Sequence, residues 1–273
     1  MSERDIEIGI ADEIQVMRFT RPDKKNAFTG DMYDAMSEAL DRGDRDDGII
    51  AHVFIGSGGI FNAGNDINDF MRRSKVGSSD GIPTPSLSFI RRLPKVGKPM
   101  IAAVDGLAIG IGTTMLFHCD LVYASPTASL RTPFLDLGLV PEAASSLTAV
   151  RRMGHARAFE LLCLGEPFNA ERGREAGIIN AVVPTDQLEA TAMKAARRLA
   201  AKPRGALLAA RRLMKGDPAT LVAQIEAESE VFKQCMGSPE AQEAFAAFFE
   251  KRPPDFAQVR AKARAKATTK AKG

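Results

Sequence analysis

MIAAVDGLAIGIGTTMLFHCDLVYAS, residues 100–125, holds the alternation that decides the fold class. Met100 to Val104 has the length and apolar content of a strand covered on both faces. GLAIGIG then breaks the run, Thr113 to Cys119 reads as a helix, and Leu121 to Ala124 reads as the next strand. Strand, glycine turn, helix and strand in this order put the chain in the α/β class.

Working outward toward the N-terminus, Ile6 to Ile10 and Ile14 to Phe19 show period-two patterning and predict a hairpin. After the loop RPDKKNAF (21–28), a helix starts at Thr29 with Met32, Tyr33, Met36 and Leu40 on one face, and is expected to end before DRDDG (44–48). Ile49 to Ile55 reads as a buried strand, broken by Ser57-Gly58-Gly59. Residues 71–98 have little period and predict a mobile insertion followed by a short helix around Leu87 to Leu93. Toward the C-terminus, from Glu142 onward, Ala, Leu and Arg recur at helical spacing, and Ile178 to Val183 is the one strand candidate. The Lys/Ala-rich end from Ala261 reads by default as a solvated terminus.

Composition narrows the function classes. The 273 residues, with 45% hydrophobic and 26% charged, are globular in balance. Net charge is +3, but six basic and no acidic residues follow Asp255, so the body is mildly acidic and no nucleic-acid footprint is expected. Cys119, Cys163 and Cys235 show neither a disulfide framework nor metal-ligand spacing, which fits a reducing, cytoplasmic setting with no metal. The apolar stretch Gly106 to Cys119 is shorter than the ~20 residues of a membrane span. MSERDIEIGI lacks the apolar region of a signal peptide, so no membrane or export role is expected.

Hydrolase, dinucleotide and P-loop motifs are missing: there is no GxSxG, no HExxH, and GIG at 110–112 is followed by Thr-Thr-Met. His52, His118 and His155 read as structural. Two turns stand out instead, FNAGNDI (61–67) and GLAIGIG (106–112), each running from a strand toward a helix. Such turns leave backbone N–H groups free, and two of them aimed at one oxygen form an oxyanion hole; they are equally common as packing devices. Glu142 in GLVPEAASS suits an acid/base role, and after Pro141 it also suits an ordinary helix start.

Seven segments in order, RPDKKNAF (21–28), FNAGNDI (61–67), AAVDGLAIGIG (102–112), CDLVYAS (119–125), GLVPEAASS (138–146), AGIINAVVP (176–184) and FFEKRPPDF (248–256), resemble the crotonase (enoyl-CoA hydratase/isomerase) superfamily over almost the whole chain. The resemblance implies an α/β crotonase fold, a spiral of ββα units over residues 1–200. It also implies a helical oligomerisation region at 201–257, a basic tail at 258–273, and assembly as a homotrimer or hexamer. It implies an acyl-CoA substrate, no separate cofactor, and an oxyanion hole formed by the amides of Asn65 and Ile111. By the same resemblance, Lys24, Lys25 and Ala27, with backbone around Ala63, Asp66 and Ile67, would meet the CoA nucleotide. Phe248 and Lys251 match positions that reach a neighbouring subunit's CoA.

The two glutamates that hydratases of this family use fall on Thr114 and Phe134, neither of which exchanges a proton near neutral pH. Glu142 occupies a position where those hydratases usually have glycine. FNAGND, RTPF and GLVPEAASS together resemble the peroxisomal-type Δ3,Δ2-enoyl-CoA isomerases, which implies that Glu142 is the catalytic base and that Phe134 belongs to an apolar wall raising its basicity. Enoyl-CoA hydration is the first alternative, and a non-catalytic acyl-CoA-binding or RNA-binding member of the superfamily the second.

Overall fold

The structure is a computed structural model that describes residues 5–69 and 84–270, with backbone alone for 264–270. The insertion expected from residue 71 lies outside the described residues up to 83. Strands β1 (Ile6–Ala11) and β2 (Ile14–Phe19) form the expected antiparallel hairpin. Asp12 and Glu13, at φ 54° and 62°, make a two-residue connection whose twist suits the flanking strands. Helix α1 (Gly30–Arg45) is capped by the Thr29 side chain, which accepts the Met32 N–H, and it buries Met32, Tyr33, Met36 and Leu40. It runs on through Asp44 and Arg45, beyond the expected end. Asp44 has partners there, accepting from the Gly97 N–H at 2.9 Å and pairing with Arg92 at 2.6 Å, so the charges do not force a turn.

Strands β3 (Ala51–Ile55), β4 (Met100–Val104), β6 (Leu121–Ala124) and β9 (Ala181–Val182) continue one six-stranded sheet in the order β1-β2-β3-β4-β6-β9, parallel from β2 onward. Strands β5 (Leu107–Ile109), β7 (Ser129–Arg131) and β8 (Phe168–Asn169) form a second sheet, β5-β7-β8. The chain thus steps from the large sheet to the small one and back, β4 to β5 and β6 to β7, which is the expected ββ repeat. Helices α2 (Pro85–Arg92), α3 (Ile111–Thr114), α4 (Ser145–Met153), α5 (His155–Phe159) and α6 (Ala170–Glu175) lie between and after these strands. Then come α7 (Thr185–Ala200), α8 (Arg204–Lys215), α9 (Pro218–Met236), α10 (Pro239–Phe249) and α11 (Phe256–Lys270).

The large sheet is covered on both faces, as its unbroken apolar strands require. Ala51, Val53, Ile55, Ile101 and Ala103 pack on Leu188, Ala192, Met193 and Ala196 of α7. Phe54, Met100, Ala102, Val104 and Val122 face the main core with α1. Among the described residues, no helix is long and apolar enough to cross a membrane.

Several boundaries depart from expectation. Ile49 and Ile50 precede β3 as a buried approach, with the Ile50 N–H on the Glu13 carbonyl at 2.8 Å. The helix expected over Thr113 to Cys119 starts at Ile111 and tightens to a 3-10 turn at Met115–Phe117. Thr113 Oγ1 donates to the Ala108 carbonyl at 2.5 Å, a side-chain bond that competes with helical propagation. Ile178 and Ile179 are buried but donate their N–H groups to the Gly173 carbonyl at 2.9 and 3.2 Å, which confines β9 to Ala181–Val182. The C-terminal segment is helical as α11, with Asp255 Oδ1 accepting the Gln258 N–H at 2.9 Å in its first turn.

Candidate active site

The turns of FNAGNDI and GLAIGIG lie side by side, at the exits of β3 and β5. The Phe61 and Asn62 N–H groups both donate to the Leu107 carbonyl (3.1 and 2.9 Å), and the Ile109 N–H donates back to the Asn62 carbonyl at 2.9 Å. Asn62 is buried and stitches the first turn: its Nδ2 donates to the Asn26 carbonyl at 2.5 Å and its Oδ1 accepts the Gly64 N–H at 2.8 Å. Glycine is needed at two contacts between the turns. Gly64, at φ 91°, leaves 3.2 Å between a would-be Cβ and the Ile109 carbonyl oxygen; at Gly112 a Cβ would meet Asn62 Oδ1 at 2.7 Å. Among the described residues, the backbone N–H of Asn65, just before Asp66, and that of Ile111, first in α3, have no acceptor. An oxyanion hole calls for two such donors aimed at one oxygen.

Glu142 is brought to the second turn by a hydrogen bond. Thr114 Oγ1, at the end of α3, donates to Glu142 Oε1 at 2.7 Å. Burial pushes the Glu142 carboxyl from 4.5 up to about 7; the Thr114 hydroxyl opposes this and the Glu228 carboxylate adds to it. A carboxyl poised near neutrality serves as base and then as proton donor without a large cost in either direction. Tyr33 Oη, buried on α1, donates to Asn65 Oδ1 at 2.6 Å. Its phenol is raised by burial and by the Glu142 charge, so α1 reaches both halves of the site.

The residues following Glu142 are strained. Ala143 and Ala144 have φ of 60° and 55°, a left-handed conformation that costs an L-residue about 1–2 kcal/mol each. They are the centre of a tight turn closed by the Ser145 N–H on the Glu142 carbonyl at 3.0 Å. His118 Nε2 lies 2.8 Å from the Ala143 carbonyl. A carbonyl only accepts, so this nitrogen carries the proton. Burial holds His118 down to about 4, and it stays neutral at pH 7.

The other residues singled out by the sequence motifs fall in three places. Lys24 and Lys25 are exposed in a short turn beside the first loop, and the Lys25 carbonyl accepts the Ala63 N–H at 3.0 Å, with Ala27 next to it. Asp66 pairs with Arg21 at 2.9 Å, and Ile67 packs against the core. Phe134 is buried and opens the 3-10 turn Leu135–Leu137. Phe248 is exposed at the end of α10, with Lys251 just beyond it, and no hydrogen bond links either to the Lys24 loop among the described residues. A cleft lined by Phe28, Tyr33, Asn65, Thr84 and Pro85 opens beside the Asn65 side chain.

Two residues of the site escape the sequence reading. Tyr33 was legible only as core. Glu228 lies on α9, buried, and accepts from the Ala144 N–H at 2.7 Å, the Ser146 N–H at 3.1 Å and the Ser146 hydroxyl. A signal for it exists in the sequence: Leu221, Ile225, Glu228 and Phe232 share a helical face, and a carboxylate inside such a stripe needs partners.

The comparisons with known proteins give the family of the chain. The family profile described as Enoyl-CoA hydratase/isomerase matches residues 9–260. The 1,2-epoxyphenylacetyl-CoA isomerase of Escherichia coli (strain K12) is 33% identical over 251 residues, covering 89% of this chain and 94% of that protein. Enoyl-CoA delta isomerase 2 of Rattus norvegicus is 32% identical over 244 residues, covering 88% of this chain and 62% of that longer protein. A hydratase and dehalogenases also stand among its relatives. The crystal structure of an enoyl-CoA hydratase/isomerase from Pseudoalteromonas atlantica T6c superposes with a TM-score of 0.87 at 35% identity, over 93% of this chain and 100% of that one. Two glycine turns with unpaired amides, a carboxyl at their edge and a match running from residue 9 to residue 260 lead to one conclusion: the chain belongs to the enoyl-CoA hydratase/isomerase family and has the crotonase fold.

Proposed function

We propose that the protein is a Δ3,Δ2-enoyl-CoA isomerase with Glu142 as its single proton carrier, acting in fatty-acid oxidation type metabolism. The observation that carries this reading is the Glu142 carboxyl itself. It is held by Thr114 at the edge of the amide pair and raised to about 7, while the two positions at which a hydratase carries glutamate hold Thr114 and Phe134. Glu142 takes a proton from C2 of a 3-enoyl-CoA. The C2–H electron pair becomes the C2–C3 double bond as the C3–C4 double bond opens, by way of a dienolate whose oxygen rests on the Asn65 and Ile111 amides. Protonated Glu142 then returns the proton to C4, giving the 2-trans isomer. No water is consumed, so one carboxyl suffices.

Exposed Lys24 and Lys25 would meet the CoA phosphates, with Ala27, Ala63, Asp66 and Ile67 around the nucleotide. Phe248 and Lys251, exposed at the far end of α10, would serve a neighbouring subunit of a homotrimer or hexamer. The test is conversion of a 3-enoyl-CoA by wild type, Glu142→Gln and Glu142→Ala. Both variants should lose about 10²–10⁴-fold in kcat, the usual worth of general acid-base catalysis. The wild-type rate should fall below a midpoint near pH 7, because the base must be ionised. Equal rates in the three proteins would overturn the reading. Hydration is the second reading, favoured by the 2,3-dehydroadipyl-CoA hydratase among the relatives; water addition to crotonyl-CoA that survives Glu142→Ala would select it.

A further inference from the structure

Glu228 is a carboxylate without an obvious task in its own helix. It lies on α9 among Leu221, Ile225 and Phe232, which pack against the core, and is only 7% exposed. Each of its oxygens is aimed at the strained turn that follows Glu142. Oε2 accepts the Ala144 N–H at 2.7 Å, and Oε1 accepts the Ser146 N–H at 3.1 Å together with the Ser146 hydroxyl. Gln224, one turn earlier, donates to Ser146 Oγ at 3.0 Å and so orients that hydroxyl. Ala144 caps α4 with no side-chain oxygen of its own, and Glu228 supplies the missing acceptor from a helix more than eighty residues away. Left-handed alanines persist only when their surroundings over-determine them. Here the surroundings are His118 on the Ala143 carbonyl, Ser145 on the Glu142 carbonyl, and Glu228 on the two amides.

We propose that Glu228 is a positioning residue for Glu142: from α9 it holds the Ala143–Ala144 turn, so that the Glu142 carboxyl stays on Thr114 at the edge of the amide pair. The inference rests on the reading of Glu142 as the base. It also gives the C-terminal helices a part in the chemistry, because the turn is complete only with α9 docked. The groups facing the turn are Tyr33 from α1, His118 from the 3-10 turn after α3, and Glu228 from α9. Arg152 of α4 is turned to the Phe117 carbonyl at 3.1 Å, and Arg91 of α2 is committed to Glu226 at 2.5 Å. Glu228 is therefore the one negative charge besides Glu142 at this turn among the described residues, and its charge raises the Glu142 carboxyl.

The experiment compares wild type, Glu228→Gln, Glu228→Ala and, as reference, Glu142→Gln. It reads kcat and KM for a 3-enoyl-CoA across pH, and follows the Glu142 carboxyl by 13C NMR titration. Glu228→Ala should lower kcat roughly 10- to 100-fold, the scale of a misplacement of about 1 Å, with KM changed far less. Glu228→Gln keeps one acceptor for the amides and removes the charge; it should recover part of kcat and move the Glu142 midpoint to lower pH. If Glu228→Ala does not fold, Glu228→Gln carries both readouts. Full kcat and an unmoved Glu142 midpoint in the Glu228 variants, beside an inactive Glu142→Gln, would overturn the proposal and leave the base intact. An active Glu142→Gln would overturn the base instead, and the NMR midpoint would still report whether Glu228 sets that carboxyl.

Discussion

His118 and Glu142 flank the same strained turn and respond to acid in opposite directions. His118 has a folded pKa of about 4 against 6.5, so below pH 6.5 the unfolded chain takes up a proton the native state refuses, and stability falls as pH drops toward 4. Glu142 has a folded pKa of about 7 against 4.5; between those values the native state takes up the proton, and stability rises as pH drops. Each pH unit within a window is worth about 1.4 kcal/mol, less for Glu142 because its side chain is partly exposed. The two terms largely offset each other, and single variants should uncover them. His118→Gln keeps an N–H donor for Ala143 and cannot titrate. Between pH 7.5 and 5 it should gain about 2 kcal/mol on wild type in urea-unfolding free energy. Parallel pH curves would refute this. At this scale Glu142 and the Asn65 and Ile111 turns were legible in the sequence, because their motifs are contiguous. Glu228 and Tyr33 were not, since each acts on a partner distant in sequence: the apolar stripe around Glu228 says that its carboxylate needs partners but not which ones.

Among elements, the strands that form the central sheet were legible where apolar residues ran together, as in β4, or recurred at period two, as in β2. Strands β5, β7 and β8, with three, three and two residues, were hidden because so few residues carry no period, and β5 lies inside what reads as a glycine turn. That short strand matters out of proportion to its length, for it holds the two amide turns in register. Gly112 is the sensitive point. A Cβ there would meet Asn62 Oδ1 at 2.7 Å and the Asn62 carbonyl oxygen at 2.9 Å, and Asn62 is anchored on Asn26 and Gly64. The backbone at Gly112 is not left-handed, so Gly112→Ala tests the contact alone. It should part the turns by a few tenths of an ångström, destabilise by about 1–3 kcal/mol, and lower kcat by roughly 10-fold or more. Gly205→Ala, on exposed α8 with nothing within 4 Å of its Cβ, is the control and should leave both unchanged or add slight stability. Wild-type kcat in Gly112→Ala would mean that turn spacing does not limit the reaction.

For the whole molecule, the informative surface is the one left uncovered by α8. Its inner side is tied to the body by ion pairs and hydrogen bonds: Arg211 to Asp120 at 2.8 Å, and Lys215 Nζ to the His118 carbonyl at 2.6 Å. Its outer side presents Leu213 and Met214, 82% and 88% exposed. Phe248 and Phe249, each 52% exposed, form a further apolar pair at the end of α10. Burying each such side chain is worth roughly 1.5–3 kcal/mol, and apolar patches of this kind mark association sites. The chain of 29.4 kDa should therefore sediment as a multiple of that mass at micromolar concentration. Leu213→Glu/Met214→Glu places two charges on the outward face without touching Arg211 or Lys215, and should shift the protein to a lower mass with its far-UV spectrum retained. If Phe248 and Lys251 serve the neighbouring subunit's CoA, the same variant should raise KM for the acyl-CoA more than it lowers kcat, because Glu142, Asn65, Ile111 and Glu228 all belong to one chain. A wild type that sediments as 29.4 kDa, or a dissociated variant with unchanged KM, would locate the complete site within the single chain.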